Sequence, residues 1–123
     1  MAFDFKKLIK SFGYAFDGLK EVFYKEQTFK IFCVITVVVI ILMFLFRISF
    51  FEKLILILTI TFLMTFELIN SRIEEIVNAF QPNQDPKAKI IKDITAGAVL
   101  LASLGALIIG ILIFLPRLIE ILF

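Results

Sequence analysis

Three uncharged apolar stretches dominate the pattern: 31–46 between Lys30 and Arg47, 54–66 between Lys53 and Glu67, and 94–115 between Asp93 and Pro116. The third, about 33 Å long as a helix, crosses a hydrocarbon core of about 30 Å unaided. The first spans with its flanks through Phe51, where Lys30 and Arg47 can snorkel. The second, about 20 Å, is too short alone. Its helical pattern runs on through Ile69, Ile73, Ile76 and Val77 with no breaker before Pro82. That predicts one helix over 53–80, with Glu67 at or just inside the membrane boundary. The spans expected are therefore 31–51, 53–80 and 93–115, the first two forming a tight hairpin. Gln81-Pro-Asn-Gln-Asp-Pro86 reads as the one convincing loop.

In residues 1–30, Phe5, Leu8, Ile9, Phe12, Phe16, Leu19 and Phe23 recur at three- and four-residue steps, while Lys6, Lys7, Lys10, Asp17 and Lys20 fill much of the other side. This predicts an amphipathic helix on the membrane surface. The fold expected is all-α: a surface helix and three transmembrane helices in a single domain. No apolar core followed by a small-residue cleavage site opens the chain, so no removable signal peptide is expected. Six Lys precede the first span, and Arg72, Lys87, Lys89 and Lys92 flank the loop after the second, against Arg47, Lys53 and Arg117 opposite. The imbalance predicts a multi-pass protein of the cell membrane, N-terminus cytoplasmic and C-terminus outside. Ala98, Ala102, Ala106 and Gly110 recur every four residues, a spacing for close helix approach within the chain or in an oligomer.

Composition narrows the chemistry. At 61% hydrophobic residues and a mean hydropathy of +1.03, the chain is no ordinary soluble domain. A net charge of +2 without a basic tract gives no reason to expect nucleic acid. With no His and one Cys, zinc lacks ligands, so any metal is oxygen-bound and hard, as magnesium is.

The candidate chemistry lies in Glu67-Leu-Ile-Asn-Ser-Arg-Ile-Glu74. At about 100° per residue, Glu67, Asn70, Ser71, Glu74 and Asn78 fall in a wedge of roughly 100°, with Arg72 pointing elsewhere. Carboxylates beside hydrocarbon are costly unless a cation, proton or substrate meets them. Phosphoryl transfer needs a base, magnesium and cations near phosphate, and each type is present on this side. Glu67 lies nearest the apolar phase, and a carboxylate that loses water is a better base. Glu74 suits magnesium, Lys92 and Asp93 stand where the third span begins, and Glu26 approaches the same level just before the first. Gly13-Tyr-Ala-Phe-Asp-Gly18-Leu-Lys20 lacks the Gly-Lys-Ser/Thr ending of a phosphate-binding loop.

Over nearly its whole length the chain resembles the small prokaryotic integral-membrane lipid kinases, the diacylglycerol kinase and undecaprenol kinase family. The resemblance rests on Gly13-Tyr14, Gly18-Leu19, Glu26 with Phe29, Glu67-Leu-Ile-Asn-Ser, Ile73-Glu74, and Lys92-Asp93 followed by Ala96-Gly-Ala-Val-Leu-Leu-Ala102. It implies transfer of the γ-phosphate of ATP to a lipid alcohol by a homotrimer. Its sites would be shared between subunits, with Glu26 or the surface helix of one meeting Glu67 and Glu74 of another. Glu67 would be the general base that binds the lipid hydroxyl. Glu26 and Glu74 would hold Mg2+ and ATP phosphates, while Asn70, Lys92, Asp93, Tyr14 and Lys7 would line the nucleotide site.

Lys7 stands where the family commonly has Arg, Arg72 where a small residue is usual, and Asn78 where Asp is usual. Asn83-Gln84-Asp85 lacks the acidic-aromatic-His run of some relatives. The polyprenol branch is favoured modestly by the stretch around Lys92-Asp93 and by the Ile-Phe-Leu-Pro-Arg tail. Two rival readings are a small proton-coupled multidrug transporter with an intramembrane Glu and a non-catalytic subunit of a membrane complex. The transporter would expect another span and has no use for Glu74, Lys92 and Asp93 together; in the subunit the polar face would be packing glue.

Overall fold

A computed structural model describes residues 2–80 and 85–123, and within them every regular element is helical. Helix α1 covers Phe5–Lys25, α2 Gln27–Leu45, α3 Phe50–Phe80 and α4 Pro86–Leu122. Helices α2, α3 and α4 are each long and apolar enough to cross a membrane. Of the expected loop, residues 81–84 lie outside the described residues, and Asp85-Pro86 already starts α4.

The ends of these helices have local causes. Asp4 caps α1 by accepting from the Lys7 backbone N–H at 3.2 Å. Helix α1 stops at Lys25, short of the expected Lys30, because Glu26 takes an extended conformation (φ −103°, ψ 112°) between α1 and α2. Helix α2 likewise stops at Leu45, and the expected run through Phe51 is broken. Arg47 turns the chain with a positive φ of 50°, a left-handed conformation that disfavours any Cβ. Ser49 and Glu52 then close a reciprocal capping box that starts α3. The Ser49 N–H donates to Glu52 Oε1 at 3.1 Å, and the Glu52 N–H donates to Ser49 Oγ at 3.2 Å.

Helix α4 opens with Asp85 as cap and Pro86 in the first turn, where a missing N–H costs nothing. It is longer than the expected span at both ends. Pro116 sits inside the helix without ending it. Proline deletes one backbone donor, and the ladder has resumed by the bond from Phe123 N–H to the Ile119 carbonyl at 2.9 Å.

Helix α4 packs chiefly along α3, α2 packs on α3, and α1 on α2. The apolar core sits at the hairpin end, where Met43, Ile48, Leu56 and Ile113 cluster against Val39, Phe46, Ile109 and Phe114. Above it Arg117 of α4 donates to Glu52 of α3. Along the remaining length most large apolar side chains are uncovered, Val34, Phe62 and Leu101 among them. Such a surface is stable only against lipid or another apolar partner. The glycines of α4 are not sites of close approach within the chain, since a Cβ added at Gly97, Gly105 or Gly110 meets nothing within 4 Å.

Candidate active site

The hairpin sets the register of the site. Glu26 precedes the end of α2 by about as many residues as Ser71 follows the start of α3, so antiparallel packing brings the α1–α2 break level with the polar half of α3. A cleft of about 310 Å³ opens there, lined by Glu21, Val22, Lys25 and Glu26 from the break and by Ser71, Arg72, Glu74, Glu75 and Asn78 from α3. Glu26 and Glu74 therefore meet within one chain. The expected sharing, by Glu26 or the surface helix of a second subunit, is not needed to bring Glu26 and Glu74 to one cleft.

Arg72 also departs from expectation. Its Cβ points away from the acidic wedge, but its long side chain swings round, and Nη2 donates to Glu26 Oε1 at 2.8 Å while Nη1 binds Glu75. Lys25 donates to Glu21 at 2.7 Å. That hydrogen bond, reinforced by the lysine charge, holds the Glu21 carboxyl below its ordinary range. Glu74 stays exposed, and no described residue pairs with it.

Glu67 and Ser71 are the buried polar residues, at 6% and 9% exposure. Both lie on the face of α3 that also buries Leu56. The Ser71 hydroxyl is spent locally, donating to the Leu68 carbonyl at 2.9 Å. No described residue donates a hydrogen bond to the Glu67 carboxylate, and Glu26 and Glu74 lie near enough for their charges to act on it. A second, mainly apolar groove of about 470 Å³ runs alongside, between Ala15, Gly18, Leu19 and Val22 of α1 and Leu68 and Arg72 of α3.

The remaining candidates divide. Lys92 reaches the cleft margin, its Nζ donating to Asn78 Oδ1 at 2.8 Å. Asp93, one residue on, turns away and pairs with Lys89 at 2.6 Å. Asn70 is half-buried on α3, one residue before Ser71. Lys7 and Tyr14 are exposed on α1, about 28 Å and 18 Å along the helix from Glu26, so a single chain does not bring them to the cleft. Gly13 to Lys20 is helical throughout and forms no phosphate-binding loop.

Among the described residues, no three acidic side chains converge to hold a metal unaided. Two carboxylates on one cleft nevertheless suit magnesium, which usually takes one or two from the protein and the rest from water and phosphate. Glu21, Lys25 and Glu75 were not singled out from sequence. Their signal, a charged face at the end of α1 opposite an acidic helix, emerges only once the hairpin register is known.

Comparison with known proteins decides the family. The model of the family described as prokaryotic diacylglycerol kinase matches residues 13–114. The chain belongs to this family. An undecaprenol kinase of Bacillus subtilis is 36% identical over 115 residues, covering 94% of this chain and 94% of that protein. A diacylglycerol kinase of Synechocystis is 35% identical over 114 residues, covering 92% of this chain and 65% of that protein. The family match takes in every candidate residue except Lys7. Membership makes the chain a membrane lipid kinase by family, and nothing supports the transporter reading.

Proposed function

We propose that this protein transfers the γ-phosphate of ATP to the hydroxyl of a lipid alcohol at the cytoplasmic face of the membrane. One observation carries the reading: Glu67, 6% exposed and with no donor among the described residues, lies on α3 one and two turns before Ser71 and Glu74, which line an open acidic cleft. Such a carboxylate has lone pairs free for a substrate proton. Glu67 takes the proton of the lipid hydroxyl as that oxygen attacks the γ-phosphorus. The bond to the β–γ bridging oxygen breaks, and ADP leaves with its electron pair. Glu26 and Glu74 would hold Mg2+, which when bound screens the phosphate charge. Lys92 and Asn78 border the phosphate side. The apolar groove between α1 and α3, lined by Leu68 next to Glu67, would take the lipid chain.

In this reading α1 lies on the membrane surface, its exposed Phe5, Ile9, Phe12 and Phe16 entering the headgroup boundary. The excess of Lys and Arg sets the N-terminus and cleft inside and the C-terminus outside. Three copies assemble, so that Lys7, Tyr14 and Asp93, which the lone chain leaves outside the cleft, border the site of a neighbour. The acceptor favoured is a polyprenol, because the relative matched over nearly all of both chains is an undecaprenol kinase.

The test is ATP consumption by the purified protein in detergent micelles, with undecaprenol or a diacylglycerol supplied in turn. Consumption that depends on the added alcohol, faster with the polyprenol, is expected. Consumption independent of any lipid alcohol, or none at all, would remove the kinase reading.

A further inference from the structure

Arg72 lines the cleft and, among the described residues, its side chain makes the hydrogen bond that joins α3 to the α1–α2 break. From α3 it reaches Glu26 at the α1–α2 break, 2.8 Å away, while Glu75 on its own helix holds the other side of the guanidinium. The second cation of the cleft, Lys25, is taken by Glu21 at 2.7 Å. Four carboxylates, Glu21, Glu26, Glu74 and Glu75, thus face two cations, both already paired. A triphosphate approaching this cleft meets excess negative charge, and Lys92 at its margin is already bonded to Asn78. Holding it is favoured when carboxylate charge is neutralised and a second cation is released. One exchange at Glu26 accomplishes both.

Deepening the kinase reading, and resting on it, we infer that Arg72 is an exchangeable counter-ion. It neutralises Glu26 while the cleft lacks nucleotide and turns to the phosphate oxygens when a divalent cation takes its place. The bridge suits this use because it is half-exposed, 43% for Arg72 and 36% for Glu26, so water competes for both ends and the pair opens readily. A divalent cation on Glu26 competes with the guanidinium for the carboxylate, since the two positive charges repel at that distance. Once released from Glu26, Nη2 can donate a charge-assisted hydrogen bond to a phosphate oxygen while Nη1 stays on Glu75. Glu75, one turn away, keeps Arg72 at the cleft through the exchange.

A structural clasp and an exchangeable counter-ion differ in the sign of what their loss does. Removing a clasp loosens the cleft and weakens metal and nucleotide together. Removing a counter-ion frees Glu26 for the metal but leaves the phosphates without their cation. The experiment compares the intact protein with Arg72→Ala and Arg72→Lys in micelles. Mn2+ binding is read by electron paramagnetic resonance without nucleotide, and binding of a fluorescent non-hydrolysable ATP analogue at saturating Mg2+. Arg72→Ala should bind Mn2+ severalfold more tightly and the analogue about tenfold more weakly, the scale of one charge-assisted phosphate contact. Arg72→Lys, which keeps the charge without the fork, should fall between on the analogue and guards against misfolding of the alanine variant. Parallel weakening of both ligands, or unchanged analogue affinity in both variants, would overturn the inference and leave the kinase reading standing. Failure of the intact protein to bind the analogue would overturn both.

Discussion

The two ends of α3 treat their charges in opposite ways. At the hairpin end Glu52 is satisfied several times over: it accepts from the Ser49 N–H, receives Arg117 from α4, and sits above the apolar core. At the other end Glu67 is more deeply buried yet receives no hydrogen bond from any described residue, and Glu74 stands exposed without a partner. Half-buried charge is tolerable when it is paired, and Glu52 follows that rule. A carboxylate on a buried residue with no donor among the described residues is costly to keep charged, and a site that retains one points to chemistry. One helix thus carries a charge that holds the fold at one end and charges left available at the other.

The largest expected effect falls on the available end. Glu67→Gln should lower turnover by a factor of about 10² or more while ATP affinity changes little, because only proton transfer is removed. Steady-state rates beside equilibrium binding check this. Next, Glu26→Ala or Glu74→Ala should each raise the Mg2+ concentration for half-maximal activity by about tenfold. The double variant should fall well short of additive if both serve one ion; fully additive effects would mean separate roles. At the satisfied end the sign of the comparison reverses. Ser49→Ala should lower the stability of the helical bundle by about 1 kcal/mol through loss of the cap, with turnover per folded molecule unchanged. Smallest is Arg47→Gly, which relieves the left-handed turn and should stabilise by about 0.5 kcal/mol in the same thermal unfolding measurement.

The three-span, all-helical fold was legible because bilayer thickness sets a minimum apolar length that few other structures require. The polar wedge of α3 was legible for a similar reason: helical period alone brings Glu67, Ser71, Glu74 and Asn78 to one side. The break at Glu26 was not, since Lys25-Glu26-Gln27 holds no glycine or proline and each residue is an adequate helix former. Ser49-Phe-Phe-Glu52 has the capping-box pattern, but its two phenylalanines also extend the apolar flank of the first span. Pro116 bounds the apolar run without ending the helix, because one lost donor does not end a long helix. Arg72 was misplaced for a geometric reason. Helical period gives the direction of a Cβ, and an arginine extends far enough beyond it to cross to the neighbouring helix.

The most direct test of the central claim sets Glu67→Gln against Glu52→Gln, reading label transfer from γ-labelled ATP to a lipid alcohol and the thermal midpoint of the same samples. The account predicts that Glu67→Gln abolishes transfer by about 10²-fold or more with the midpoint kept or raised, since an unpaired buried charge has been removed. Glu52→Gln should lower the midpoint and leave transfer per folded molecule intact. A Glu67→Gln protein that transfers label normally, or loses transfer only in proportion to unfolding, would contradict it.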